Sequence, residues 1–173
     1  MKIRYVHPTD YDTIIAALND WWGGRLMSDM LPRLFFVHFC NTSFVAEEGE
    51  RIVGFLIGFL SQAQVEEAYI HFAGVHPACR RQGVGRALYE RFFEAAEQEG
   101  RMIVRCVTSP VNKGSIAFHT GIGFEIEQRA GVTEEEMVWP QYDGPDNDRV
   151  LFVRRLSAQP AGSVGPTDRI AHL

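Results

Sequence analysis

An unbroken apolar run, Ile52 to Leu60, is the feature that most constrains what this chain can fold into. β-branched and aromatic residues dominate the run, and the turn sequence Glu48-Gly49-Glu50-Arg51 precedes it, so it is predicted to be a strand. Because the run does not alternate between apolar and polar residues, we expect both faces of this strand to be covered, at the centre of a sheet. A membrane helix needs about 20 residues, so Gly54 and Gly58 predict close packing against a neighbouring backbone instead of a membrane helix pair.

The rest of the chain alternates between strand and helix patterns. Further strands are predicted at Lys2 to Val6, Phe44 to Glu47, Ala68 to Val75, Met102 to Val107, Phe124 to Glu127 and Arg149 to Arg155. Helices are predicted from Pro8-Thr9-Asp10 to Gly23-Gly24, from Leu26 to Phe39 in bent or two-part form around Pro32, from Val84 to Gln98, and from Gly114 to Thr120. This order predicts one domain over residues 1–156 and a flexible tail over residues 157–173.

Composition excludes several classes of function. With 173 residues, 46% of them hydrophobic, the chain can bury a core without disulfides or metal. Its formal net charge of −5 argues against nucleic acid as the main partner. The cysteines Cys40, Cys79 and Cys106 are far apart and form no CxxC pair, which argues against a disulfide framework and against a zinc site. The N-terminus does not resemble a signal peptide, so we expect a cytoplasmic protein that does not enter a membrane.

The segment from Val75 to Leu88, VHPACRRQGVGRAL, predicts a strand, a polar loop, a glycine pair and an amphipathic helix. Glycines at such a junction let the backbone approach a ligand closely. The first turn of the helix leaves N–H groups unpaired at the positive end of its dipole. Together with Arg80, Arg81 and Arg86, these features predict a cradle for a pyrophosphate group.

Three types of phosphate-binding loop begin in this way. A dinucleotide-binding fingerprint needs glycine or alanine where this chain has Leu88, and a P-loop needs a Gly-Lys-Ser/Thr sequence that is absent. The pattern R-x-x-G-x-G after a strand resembles the acetyl-CoA-binding motif of the GNAT superfamily of N-acetyltransferases. Residues Asn112 to Phe124, NKGSIAFHTGIGF, resemble a second motif of that superfamily, and the order of elements agrees over roughly residues 2–155.

The resemblance implies an α/β (α+β) fold. Its sheet is mixed, mostly antiparallel, with six to seven strands, flanked by about four helices and splayed open between strands four and five, here Ala68 to Val75 and Met102 to Val107. The implied activity is acetyl transfer from acetyl-CoA to a primary amine of a small molecule or protein, by direct attack in a ternary complex and without a metal. Three alternatives stay open: an acetyl-CoA-binding module that has lost catalysis, transfer of a longer acyl chain, and assembly as a homodimer.

The resemblance also implies where acetyl-CoA binds. Pantetheine would pair with the fourth strand, the pyrophosphate would lie on the glycine loop, and the 112–119 segment would flank the thiol. The implied binding residues are Ala73, Gly74, Val75, Arg80, Arg81, Gln82, Gly83, Val84, Gly85, Arg86, Asn112, Ser115, Phe118 and His119.

Candidate catalytic groups lie on the second motif and on the fourth predicted strand. Many members of the superfamily have a tyrosine acid where this chain has His119, which could protonate the thiolate or simply pack against acetyl-CoA. We expect His71 to share one face of its strand with Ala73 and Val75 and to be either the general base or a core histidine. Tyr69 on the same face could hold a water molecule. Two glutamates at the start of the strand, Glu66 and Glu67, are weaker candidates.

The sequence says less about the site that binds the acceptor amine. Trp21 and Trp22 end the first predicted helix, and Trp139 and Tyr142 lie in an acidic loop. Each could line an acceptor cleft or serve as a core anchor. The loop carboxylates Glu134, Glu135, Glu136, Asp143 and Asp146 could attract a cationic amine or could simply be solvated. Cys106 is predicted to be a buried hydrophobe.

Overall fold

The computed structural model describes residues 1–128 and 137–156 of the chain. Seven strands form one sheet: β1 (Lys2–Tyr5), β2 (Phe44–Glu48), β3 (Arg51–Leu60), β4 (Glu67–Val75), β5 (Ile103–Thr108), β6 (Glu125–Ile126) and β7 (Val150–Arg155). Four α-helices accompany it: α1 (Asp10–Trp21), α2 (Leu34–His38), α3 (Val84–Gln98) and α4 (Lys113–Gly121). The predicted tail, residues 157–173, lies outside the described residues.

The strand order across the sheet is β1-β2-β3-β4-β5-β7-β6. β4 and β5 are parallel, and all the other neighbouring pairs are antiparallel. The predicted mixed, mostly antiparallel sheet is therefore confirmed. The chain crosses from β4 to β5 through α3, as a parallel pair requires.

Strand β3 lies near the middle of the sheet, and both of its faces are buried. Val53 and Leu56 belong to a core cluster formed with α3, while Phe55 and Ile57 belong to a second cluster formed with α1 and α2. Helices on both faces explain why the run is apolar throughout.

The two glycines of β3 make room for α3. A Cβ atom on Gly54 would lie 2.9 Å from Val84 and 3.1 Å from Leu88, and a Cβ atom on Gly58 would overlap the Phe92 ring. The close packing that these glycines predict is real, but the main neighbours are side chains of a helix and not another backbone.

The segment from Leu26 to Phe39, predicted to be a bent or two-part helix, forms two short helical pieces on either side of Pro32. They are the 3-10 turn Ser28–Met30 and the five-residue α2. Pro32 disfavours helical geometry at the residue before it, and Leu31 has a φ of −128° and a ψ of 66°. The result is an irregular connection between α1 and α2, which carries the apolar residues Leu26, Met27 and Met30.

A buried carboxylate joins β1 to α1. Asp10 accepts hydrogen bonds from the Arg4 guanidinium at 2.8 and 2.9 Å and from the His7 backbone N–H at 2.7 Å. Arg4 also donates to Glu47 of β2 at 2.6 Å. Burial opposes ionisation of Asp10, but these hydrogen bonds outweigh it and lower the pKa of the carboxyl.

Candidate active site

The sheet opens between β4 and β5. The two strands pair only from Glu67 with Ile103 to Tyr69 with Arg105, although β4 continues to Val75. Beyond that point they part around a cavity of about 730 Å³, which both strands and α4 line. The splay predicted between the fourth and fifth strands is therefore present, and it leaves one edge of β4 without a neighbouring strand.

A β-bulge in β4 lies at the mouth of this opening. Ile57 of β3 pairs with Phe72 and the next residue, Gly58, pairs with Ile70, so His71 is the extra residue on β4. Beyond a bulge, odd- and even-numbered residues exchange the faces of the sheet that they occupy before it. His71 stacks on Phe35, on the side of α1 and α2.

The bulge overturns one expectation from the sequence. Ala73 and Val75 pack against the α3 cluster, on the face of the sheet opposite to His71. The prediction that His71 shares a face with them is wrong, because simple alternation does not include the inserted residue. Tyr69 lies before the bulge and stacks on Phe59. Tyr69 and His71 both line the cavity.

His71 is held in one tautomer. Its Nε2 atom lies 2.8 Å from the Met30 carbonyl oxygen, which can only accept, so Nε2 carries the hydrogen. Its ring stacks on Phe35 at a centroid distance of 4.2 Å. Burial lowers the pKa of His71, so the neutral ring keeps a lone pair on Nδ1 at neutral pH. Burial raises the pKa of Tyr69, which keeps that phenol protonated.

The glycine loop leads into α3 beside the open end of β4. Gly83 caps the helix with a φ of +84°, and Arg81 has a φ of +62°, a conformation that few residues other than glycine adopt. The first turn of α3 contains no acidic residue, and no side chain caps it. The N–H groups of its first three residues therefore have no intrahelical acceptor.

Gly85 brings this helix start against the opening. A Cβ atom there would lie 3.3 Å from the Phe118 ring of α4 and 3.6 Å from Val75. The unpaired N–H groups are thus held close to the end of β4.

The arginines of the loop differ in what they contact. Arg80 donates through Nε to the Val75 carbonyl at 3.1 Å and through Nη2 to the Trp21 carbonyl, so it joins the end of β4 to the end of α1. Arg86 has a long contact of 3.4 Å with the Gly121 carbonyl. Arg80, Arg81 and Arg86 are all exposed, and Arg80 is the one that the carbonyls of Val75 and Trp21 hold in place.

Helix α4 presents the second predicted motif to the cavity. Asn112 caps it by accepting from the Ser115 N–H at 3.1 Å. His119 is buried, with Nδ1 2.7 Å from the Ser115 carbonyl and Nε2 2.9 Å from the Tyr89 hydroxyl. Burial lowers its pKa. Asn112, Ser115, His119 and Tyr89 all line the cavity.

Sequence reasoning missed Tyr89. It belongs to the apolar stripe of α3 by spacing, and a tyrosine in a helix stripe is typical of a core residue. The available signal was that a buried phenol needs a hydrogen-bond partner.

The predicted acceptor residues separate into two groups. Trp22 lines the cavity, together with the apolar residues Leu26, Met27 and Met30 of the irregular connection. The other three lie elsewhere. Trp21 is buried in the α1 and α2 core, while Trp139 donates to the Glu127 carbonyl at 3.3 Å and contacts the exposed Tyr142. None of these three lines this cavity.

Another part of the cavity lining is polar. Its residues follow Tyr142 in the loop before β7: Asp143, Asp146, Asn147, Asp148 and Arg149. Asp143 is paired with Arg149 at 2.6 Å, and Asp148 accepts from the Gln141 N–H. The loop glutamates Glu134, Glu135 and Glu136 lie outside the described residues.

The remaining candidates have other surroundings. Glu67 accepts from Arg105 at 2.9 Å, and Glu66 is exposed at the start of β4. Cys106 is buried, and burial raises the pKa of its thiol, which fits a small hydrophobe. Within residues 1–128 and 137–156 there is no cluster of metal-ligating side chains. The same ranges contain no helix long and apolar enough to span a membrane.

The chain is similar to known acetyltransferases. The model of the Acetyltransferase (GNAT) family matches residues 11–124. An uncharacterised N-acetyltransferase of Methanocaldococcus jannaschii is 37% identical over 89 residues, 49% of this chain and 39% of that protein. The [ribosomal protein bS18]-alanine N-acetyltransferase of Escherichia coli is 29% identical over 123 residues, 66% of this chain and 79% of that protein.

A solved structure has the same fold. Diaminobutyrate acetyltransferase EctA from Paenibacillus lautus, in complex with L-2,4-diaminobutyric acid and coenzyme A, superposes with a TM-score of 0.69 at 20% identity. The match covers 93% of this chain and 98% of that one. By contrast, the alignment with the M. jannaschii relative covers less than half of the length of that protein.

Proposed function

Because the chain belongs to the acetyltransferase (GNAT) family, we propose that it transfers an acetyl group from acetyl-CoA to a primary amine. The single observation that carries this proposal is the parting of β4 and β5 beyond Tyr69 and Arg105, with the start of α3 beside it. An open strand edge next to unpaired helix N–H groups suits a ligand that has amide groups at one end and phosphates at the other.

The residues at the opening fit acetyl-CoA. The amides of pantetheine can pair with the free edge of β4 near Ala73, Gly74 and Val75, as an added strand does. The pyrophosphate can accept from the first-turn N–H groups of Val84, Gly85 and Arg86, beside Gln82 and Gly83. Arg81 and Arg86 supply opposite charge. Arg80 fixes the loop through the carbonyls of Val75 and Trp21.

Attack on the thioester needs a neutral amine, whereas a free primary amine is mostly protonated at neutral pH. His71 can accept that proton, because Met30 holds its Nε2 hydrogen and leaves Nδ1 as the acceptor. A backbone N–H on the free edge of β4 can polarise the thioester carbonyl. Tyr69 lies on the same side of the strand as His71, and burial keeps its phenol protonated. Its hydroxyl can hold a water molecule between Tyr69 and His71.

The acceptor would enter between two unlike walls. Trp22 and Met30 form an apolar wall, and Asp146 and Asp148 lie on the polar wall. Curated relatives are named for a small amine, L-2,4-diaminobutyric acid, and for the alanine of a ribosomal protein. Both are primary amines, and the proposed acceptor is therefore a primary amine of a small molecule or a protein.

The test is an amine screen in two steps. Titration calorimetry first measures binding of acetyl-CoA, and thiol release then follows acetyl transfer to L-2,4-diaminobutyrate, to a peptide that begins with alanine and to a polyamine. Amine-dependent thiol release with an acetylated product in the mass spectrum would support the proposal. Binding of acetyl-CoA without transfer to any amine would favour a module that has lost catalysis. A folded protein that does not bind acetyl-CoA would contradict both.

A further inference from the structure

A buried tyrosine and histidine face the opening from two different helices. The Tyr89 hydroxyl of α3 lies 2.9 Å from Nε2 of His119 of α4, and both residues line the cavity between β4 and β5. Neither side chain is exposed, since Tyr89 has 4% and His119 has 6% of its surface accessible. The transfer of the amine proton to His71 does not involve this hydrogen-bonded pair.

Hydrogen bonds fix the proton positions in the pair. Nδ1 of His119 lies 2.7 Å from the Ser115 carbonyl oxygen, which can only accept, so Nδ1 carries a hydrogen. Burial lowers the pKa of His119, so the ring is neutral and Nε2 has a lone pair. The Tyr89 hydroxyl therefore donates to Nε2. If Nε2 gains a proton, the bond reverses and the hydroxyl hydrogen of Tyr89 becomes free to point into the cavity.

Packing holds the two rings in place. The Tyr89 ring meets the rings of Phe118 and Phe124 edge-on, and the His119 ring stacks on Phe152 at 4.8 Å. Among the described residues no carboxylate bonds to either side chain. No negatively charged side chain there stabilises an extra proton on this pair. The proton is therefore expected to pass quickly back to a group in the cavity.

We propose that Tyr89 and His119 form a proton relay that carries a proton from the attacking amine to the departing sulfur. This inference rests on the proposed acetyl transfer. Two protons leave the amine during that reaction, and His71 accounts only for the first, which makes the amine neutral. After the C–N bond forms, the nitrogen still holds one proton too many, and the sulfur still lacks one.

The relay supplies the missing transfer. The excess proton on nitrogen passes to the Tyr89 oxygen while the hydrogen of Tyr89 passes to Nε2 of His119. The C–S bond then breaks, its electron pair stays on sulfur, and Tyr89 donates its hydrogen to that sulfur as His119 returns its own to Tyr89. The products are the acetylated amine and CoA thiol, and the proton held by His71 goes to solvent. Tyr89 is thus a catalytic residue, and His119 acts through it.

Two substitutions test the relay. Tyr89→Phe removes the hydroxyl, and His119→Gln keeps an acceptor for the hydroxyl but cannot hold the proton. Each is expected to lower kcat about 100-fold, the usual contribution of a positioned acid or base, and in Tyr89→Phe the Kd for acetyl-CoA should stay within threefold. The double variant is expected to be no slower than either single variant, because the two residues act as one unit.

A proton inventory in mixtures of H2O and D2O separates a relay from a packing role. The wild-type kcat is expected to vary with the deuterium fraction along a curve, since two protons move together, and Tyr89→Phe is expected to lose that curvature. Tyr11→Phe, which removes a hydroxyl from a ring packed on Phe36 outside the cavity, is the matched control and should leave both readouts unchanged.

The outcomes separate the two proposals. A wild-type protein that acetylates no amine contradicts the proposed function itself. A wild type that acetylates an amine, with kcat of Tyr89→Phe within twofold or with a linear inventory in both proteins, contradicts the relay alone. A lower thermal midpoint in Tyr89→Phe with an unchanged inventory would assign the pair to packing and would also overturn the relay.

Discussion

The Nε2 atom of His71 lies 2.8 Å from the backbone carbonyl oxygen of Met30. This contact joins the bulge in β4 to the irregular connection between α1 and α2, whose apolar side chains line the cavity. One hydrogen bond therefore fixes the tautomer of the proposed base and, at the same time, the position of the apolar wall.

His71→Gln should replace the acid limb set by His71 with one set by ionisation of the amine, because only the neutral amine attacks. Burial lowers the pKa of His71 below its ordinary value of 6.5, so wild-type kcat/KM should fall only as the pH drops through that lowered value. The variant should lose about 100-fold in kcat/KM near pH 7. The exposed His38 of α2 supplies the control His38→Gln, with an unchanged profile expected. A variant that keeps the wild-type acid limb would exclude His71 as the base.

Gly83→Asp should weaken acetyl-CoA binding at least about tenfold, because it sets a carboxylate beside the N–H groups proposed to hold the pyrophosphate. Gly100→Asp is a matched control at the other end of α3. Both glycines have a positive φ, +84° and +72°, and neither would bring a Cβ atom within 4 Å of another group. Titration calorimetry measures the Kd for acetyl-CoA of both variants. Equal losses of affinity would count against the proposed pyrophosphate site.

Gly58→Ala should destabilise the fold by about 2 kcal/mol, because its Cβ atom would overlap the Phe92 ring in a packed core. Adding Phe92→Leu should restore part of this loss by making space. Gly121→Ala, where no group lies within 4 Å, should not destabilise. Denaturant unfolding measures all three. If Gly58→Ala were as stable as the wild type, the Phe92 ring would not pack tightly against Gly58.

Asp10→Asn should lower the free energy of unfolding by about 2 kcal/mol at pH 7, because it removes the charged partner of the Arg4 guanidinium from a buried site. The folded-state pKa of Asp10 is lower than its unfolded value of 3.8. Its ionisation therefore contributes stability that is fully present above pH 3.8 and is lost as the pH falls through the folded-state pKa.

Urea unfolding of wild type and Asp10→Asn between pH 2 and 7 checks this. The two curves should converge at the acid end of that range. A gap of constant size would mean that the contribution of Asp10 does not depend on its charge.

Patterns that depend on local sequence were predicted well. Helix α3 begins and ends where its apolar stripe and the flanking Gly83 and Gly100 predict, and β3 was placed at the centre of the sheet from the unbroken run alone. The parting of β4 and β5 came from the family resemblance, since no pattern within either strand indicates where pairing ends.

Features that depend on register or on distant partners were not predicted. The bulge at His71 arises from a mismatch between β3 and β4, and strand alternation cannot reveal such a mismatch. Arg80 carries the charge expected of a phosphate ligand, but its contact with the Trp21 carbonyl depends on where α1 ends in space. Tyr89 and His119 are 30 positions apart, and only the packing of α3 beside α4 brings them together.

The inserted residue in β4 can be removed without a change of register in the rest of the strand. Deleting His71 would let β4 pair with β3 without interruption, and Ile70, Phe72 and Ala73 would then alternate regularly between the two faces of the sheet. The remaining side chains of β4 would keep their present faces, so Ile70 and Ala73 would still pack against the α3 cluster. The deletion is thus expected to preserve the fold and to remove only the imidazole and its contact with the Met30 carbonyl.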